Sequence, residues 1–142
     1  MKKSTLRFTL QFEFDLLGLV APLKDYKMAW LINNTLGIQL VKTDDHRLEF
    51  LKQPDLLVSQ YIEKKEHGFV QLLRNRSYPG AELAGYLVPE LKFVDYFLLL
   101  QDYTFDMDIN SYIEDLSRSS LIQNVVKLDV TKLKSKENLL TY

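Results

Sequence analysis

The chain has 142 residues, 46% hydrophobic and 12% aromatic, which suits one domain that buries a core without a disulfide or structural metal. It has no cysteine, so disulfides, thiolate nucleophiles, iron–sulfur clusters and cysteine-based zinc sites are excluded. A formal net charge of −1 lacks the basic excess expected of a nucleic-acid binder, and no apolar stretch reaches the roughly 18 residues a membrane span needs.

The opening MKKSTLRFTLQFEF places Arg7, Gln11, Glu13 and Asp15 where a secretory signal would keep an uncharged apolar run, so a cytoplasmic location is expected. Within it, Leu6, Phe8, Leu10, Phe12 and Phe14 alternate with Arg7, Thr9, Gln11 and Glu13, the period-2 pattern of a strand with one buried face. Pro22 suits a first helical position and Gly37 a helix C-terminus, which predicts a helix over about 22–36. A short strand, Ile38 to Val41, is expected next. Thr43 to Arg47 reads as a polar turn and Gln53-Pro54-Asp55 as a breaker. Leu56 to Ile62 and Phe69 to Leu73 read as two strands of a hairpin whose connection ends at Gly68. Ser77 to Gly85 is a loop.

VPELKFVDYFLLL, residues 88–100, is apolar on both faces and rich in aromatic residues, so it reads as a central strand that carries Asp95 on one face with Phe93, Phe97 and Leu99. Asp106 or Asp108 caps a second helix, with Ile109, Tyr112, Ile113 and Leu116 at i, i+3, i+4 and i+7. Leu121 to Leu128 is a last strand. The expected fold is α+β, a mostly antiparallel sheet of about six strands with two helices on one face, in the order β-α-β-β-β-β-α-β. Residues 1–130 form the domain, and a polar C-terminal tail occupies 131–142.

The residues Val88-Pro89-Glu90 and Val94-Asp95-Tyr96 carry a resemblance: the chain resembles the IPExxxVDY family of small bacterial proteins, with Val88 at the position of the usual Ile. The segment Lys132-Leu133-Lys134-Ser135-Lys136-Glu137-Asn138-Leu139 is similar as well. The resemblance implies a structural signature of Pro89, Glu90, Asp95 and Tyr96. It implies no activity, ligand or catalytic residue.

Glu90 and Asp95 invite an acid–base reading. Five residues apart on a strand, they point to opposite faces. The expectation is that Asp95 anchors the fold through a buried ion pair or a hydrogen bond to backbone. Asp44-Asp45-His46 is half a metal site, with His67 the only other histidine in a charged turn, and no metal is expected. Ser77, Ser111, Ser117, Ser119 and Ser120 lie where serine caps or turns, and no nucleophile elbow, P-loop or dinucleotide fingerprint occurs. No cofactor is expected.

Arg74-Asn75-Arg76-Ser77-Tyr78 is the best phosphate or nucleic-acid contact, extended if Lys132, Lys134 and Lys136 lie nearby. Eight Tyr and eight Phe exceed what a core of this size needs. Tyr61, Tyr78, Tyr86, Tyr103 and Tyr112 fall in segments open to an interface. The leading reading is a non-enzymatic binding or assembly module that self-associates, most simply as a homodimer. The alternatives are a nucleic-acid-associated protein using Arg74, Arg76 and the C-terminal lysines, and an enzyme with Glu90 or Asp95 as acid or base.

Overall fold

The computed structural model describes residues 13–102 and 108–140. Six strands form one antiparallel sheet: β1 (Asp15–Val20), β2 (Val41–Lys42), β5 (Gln60–Lys65), β6 (Gly68–Arg74), β7 (Tyr96–Asp102) and β8 (Asn124–Leu128). Their spatial order is β2-β5-β6-β7-β1-β8. A separate two-stranded sheet pairs β3 (His46–Leu48) with β4 (Leu56–Val58). Helix α1 (Asp25–Leu36) connects β1 to β2, and α2 (Ile109–Ser117) connects β7 to β8. Because β7 and β8 both pair antiparallel with β1, they run parallel to each other with β1 between them.

Both faces of the sheet are covered, which explains why residues 16–20 of β1 and 96–100 of β7 are apolar without alternation. On one face Leu17, Leu19, Val70, Leu72, Tyr96, Leu98 and Leu100 pack with Met28, Ala29, Leu31 and Ile32 of α1 and Leu116 of α2. On the other, Leu16, Leu73, Phe97 and Leu99 meet Leu56 and Val58 of β4, then Leu87, Val88, Val94, Val130 and Leu139. The α+β class and the placement of both helices on one face agree with the sequence. The small sheet, and the short 3-10 turns that with it cover the opposite face, do not follow from the sequence pattern.

Several boundaries move for physical reasons. The expected strand at 6–14 falls on residues outside those described, save Glu13 and Phe14, and the first strand observed starts at Asp15. Helix α1 begins at Asp25, three residues after Pro22, and ends as expected at Gly37, whose left-handed φ of 68° turns the next N–H, that of Ile38, back to Asn33 O at 3.2 Å. Ile38 and Leu40 are buried but only Val41 and Lys42 pair, because the Asn33 side chain takes both backbone groups of Leu40. Leu56 to Ile62 is two strands rather than one: β4 joins the small sheet and β5 the large one, with Ser59 between them. The polar turn at Thr43 gives way to β3 at His46. The last strand starts at Asn124 rather than Leu121. Asp108 caps α2, its Oδ1 accepting from the N–H groups of Asn110 and Ser111.

Residues 130–140 lie on the face opposite the helices. Leu139 is 1% exposed, and Asn138 Nδ2 donates to Leu87 O at 2.9 Å. His46 Nε2 lies 2.6 Å from Asn138 O, the geometry of a neutral imidazole donating to a carbonyl. Burial pushes the His46 imidazole below its ordinary range, and the bond to Asn138 only partly opposes that. As pH falls through about 6.5, the unfolded histidine takes a proton before the folded one does. The unfolded state then binds more protons, so this stability is complete above that pH and is lost below it, by at most about 1.4 kcal/mol per pH unit. Chemical denaturation at pH 6.5 and pH 5 is expected to show the loss, and His46→Gln to flatten it.

Candidate anion-binding site

The stretch VPELKFVDY is not a strand until its last residue. Pro89–Leu91 forms a short 3-10 turn, with Pro at its start where no N–H is needed. Asp95 precedes β7, and Phe93, placed in the core by the strand reading, is 58% exposed. The strand fails to form here because the side chain of Asn75 takes the backbone groups a strand would have used. Asn75 is fully buried. Its Oδ1 accepts from Val88 N at 2.8 Å, and its Nδ2 donates to Leu91 O and Val94 O, both at 2.9 Å. Its own N–H donates to Asp95 O at 2.9 Å.

Glu90, Asp95 and Tyr96 each tie this turn to a different element. Glu90 Oε2 accepts from Ser135 N at 2.8 Å, clasping residues 130–140. Slight desolvation opposes it, but hydrogen bonds from its own amide and from Ser135 and Lys134 hold the Glu90 carboxyl below the usual carboxylate range. Asp95 Oδ2 accepts from Ala21 N at 2.8 Å, and Asp95 N donates to Leu19 O at 2.9 Å, fixing the turn to the end of β1. The Tyr96 hydroxyl donates to Leu23 O just before α1. Burial pushes its pKa far up, so it remains a neutral donor. Of the two anchors expected for Asp95, the backbone bond is present and, among the described residues, no salt bridge involves it. Glu90 and Asp95 are not brought to a common site.

Asp95 does line a cleft. Its volume is about 240 Å³, and it is bounded by Ala21 to Lys24, Arg74, Arg76, Tyr86, Lys92 and Val94 to Tyr96. Register explains the gathering. Arg74 ends β6 opposite Tyr96, which starts β7. Two residues on, Arg76 forms an isolated antiparallel bridge with Tyr86. The Arg76 guanidinium and the Lys92 ammonium each lie 5.6 Å from the centre of the Tyr86 ring, which holds both cations at the rim. Four cationic side chains and one carboxylate thus line the same cleft. Among the described residues none of the four is in a salt bridge.

The sequence pairs Arg74 with Arg76 and marks Asp95 and Tyr86 separately, with nothing to join them. Lys24 and Lys92 carry no local pattern, because strand register and the Asn75 bonds bring them to the cleft. Lys132, Lys134 and Lys136 are not among the residues that line the cleft. Tyr61, Tyr78, Tyr86 and Tyr112 are half-buried, and Tyr103 lies outside the described residues. Among the described residues the exposed aromatic rings are instead Tyr26, Trp30, Phe50 and Phe93.

The Asp44-Asp45-His46 run is dispersed. His46 is buried against Asn138, while Asp45 accepts from Lys42 Nζ at 2.8 Å and from the Tyr78 hydroxyl at 2.6 Å. Partial burial opposes it, yet those two bonds hold the Asp45 carboxyl below its ordinary range. Among the described residues no group of three or more His, Asp or Glu side chains converges as a metal site.

No family model matches the chain, and no curated protein or solved structure matches it significantly.

Proposed function

We propose that the protein is a non-enzymatic binding module whose cleft between the end of β6, the turn at 86–96 and the start of α1 takes a small anion. The observation that carries this reading is the convergence of Lys24, Arg74, Arg76 and Lys92 on one cleft without salt-bridge partners among the described residues. Like charges gathered at close range repel one another, and a bound anion relieves that repulsion. Arginines set at the end of a paired strand and in a β-bridge present rigid forks, which suit bidentate oxyanion recognition. A nucleic-acid strand asks instead for cations spaced along a track that follows successive phosphates.

The test is calorimetric titration with inorganic phosphate at low ionic strength, together with melting curves. Saturable binding and a rise in Tm with phosphate concentration are expected. Both are expected to vanish in the double variant Arg74→Gln, Arg76→Gln and to weaken as salt is added. No heat and no stabilisation at low salt would remove the reading.

Self-association is a second reading, with its own observation. Tyr26 and Trp30 lie one turn apart on the outer side of α1 and are 55% and 65% exposed. A second copy of the chain is the occupant this reading names, and light scattering at micromolar concentration that finds only monomer counts against it.

A further inference from the structure

Resting on the anion-binding reading above, we propose that the cleft selects a small free phosphomonoester that carries a hydrogen-bond donor about three bonds from its ester oxygen, with Asp95 reading the donor. The charge argument comes first. Four cations against one carboxylate leave an excess that one ligand carboxylate offsets poorly. A phosphomonoester brings about −1.5 to −2 charges at neutral pH and three strong acceptor oxygens, which match arginine forks.

Size points the same way. A cleft of about 240 Å³ is smaller than the roughly 300–1,000 Å³ typical of drug-sized ligands. It accommodates a phosphoryl group and a short attached chain, not a nucleotide stacked on a ring. Arg76 and Lys92 each lie 5.6 Å from the Tyr86 ring centre, so a base stacking there competes with both cations.

Asp95 supplies the selectivity. An ionised carboxylate has about four acceptor positions, and Ala21 N–H takes one of them. A site meant only for anions gains nothing from a carboxylate among its cations, since it repels the ligand. A ligand with an ammonium or hydroxyl donor turns that repulsion into a charge-assisted hydrogen bond. The Asp95 backbone is fixed by its bonds to Leu19 O and Asn75 N, and the bond from Ala21 N–H orients its carboxylate before the ligand arrives.

The experiment compares ethyl phosphate with 2-aminoethyl phosphate by calorimetric titration of the full chain. The two share the phosphoryl group and the two-carbon chain and differ in the donor. The amine is expected to bind about tenfold more tightly or better, the scale of one hydrogen bond to a charged group. Asp95→Asn keeps an amide oxygen for Ala21 N–H, and its melting curve reports whether the fold is retained. In that variant the preference is expected to disappear while ethyl phosphate still binds. Equal affinities in the parent chain, a comparison that needs no variant, would overturn the selectivity and leave the anion site standing. Absence of binding by both esters and by inorganic phosphate would instead sink the anion reading itself. Capture by phosphatidylcholine vesicles containing phosphatidic acid, with no heat from 2-aminoethyl phosphate, would assign the cleft to a lipid headgroup and overturn the small-ligand inference.

Discussion

Asn75→Ala is expected to lower the stability of the fold by about 3–5 kcal/mol, because it orphans two buried backbone groups at once. Val88 N–H loses Asn75 Oδ1, and Val94 O loses Asn75 Nδ2. Leu91 O suffers less, since it also accepts from Val94 N at 3.1 Å. The loss is one of hydrogen bonds and not of apolar area, so filling the space again does not restore it. Asn75→Asp sharpens the point. The carboxylate still accepts from Val88 N–H, but it faces Leu91 O and Val94 O with no proton to offer and brings a buried charge. At neutral pH Asp is therefore expected to be worse than Ala, and acidification to narrow the gap as the side chain regains a donor. Urea unfolding of the three chains at pH 7 and pH 5 checks the order, and an Ala variant within 1 kcal/mol of the parent would mean that the clamp is not what holds the turn. The same turn carries Tyr86, Lys92 and Asp95, so loss of the clamp is expected to weaken phosphate binding along with stability.

That clamp marks the limit of what the sequence reveals. The α+β class was legible because hydrophobic periodicity is local: Met28, Leu31 and Ile32 report one helix, and Ile109, Tyr112, Ile113 and Leu116 the other. The helix ends were legible at Gly37 and Asp108, where backbone geometry restricts the residue type. The stretch from Val88 to Asp95 was misread as strand because its composition suits one. What overrides that preference is a side chain 13 residues away from Val88 in sequence, and nothing in a local window records it. The cleft was half legible for the same reason. Arg74 and Arg76 stand out as a pair, but Lys24 and Lys92 acquire meaning only through the β6–β7 register and the bonds that fix Asp95 to the end of β1. Lysines 132, 134 and 136 stood out equally in the sequence, yet none of them lines the cleft, although Glu90 clasps their segment to the same turn.

Gly68→Ala is expected to cost about 3 kcal/mol or more, the upper range for forcing atoms into filled space. The sequence suggested that Gly68 serves the hairpin turn through its backbone freedom. The structure bears that out, with a φ of +158° at Gly68, and adds a second reason. The turn consists of Glu66 and His67, and Gly68 is already the first residue of β6, paired with Lys65 on one side and Asp102 on the other. A Cβ added there would lie 1.8 Å from Gln101 O and 2.7 Å from the carbonyl carbon, both backbone atoms of β7. No side-chain rotation relieves that contact, so β7 itself must move. Yet β7 pairs with β1 as well as β6, and its residues line the core on both faces. Other glycines provide the scale. At Gly85 a Cβ would meet Leu56 Cδ1 at 3.5 Å, an ordinary contact, and Ala is expected to change stability by no more than about 0.5 kcal/mol. At Gly37 nothing lies nearby but φ is +68°, so Ala is expected to cost about 1 kcal/mol from backbone strain alone. The expected order of melting temperatures is therefore Gly85→Ala highest, then Gly37→Ala, then Gly68→Ala. A Gly68→Ala chain that melts with the Gly37 variant would show that β7 yields at its end, and that the close approach of the two strands is not a fixed feature of the sheet.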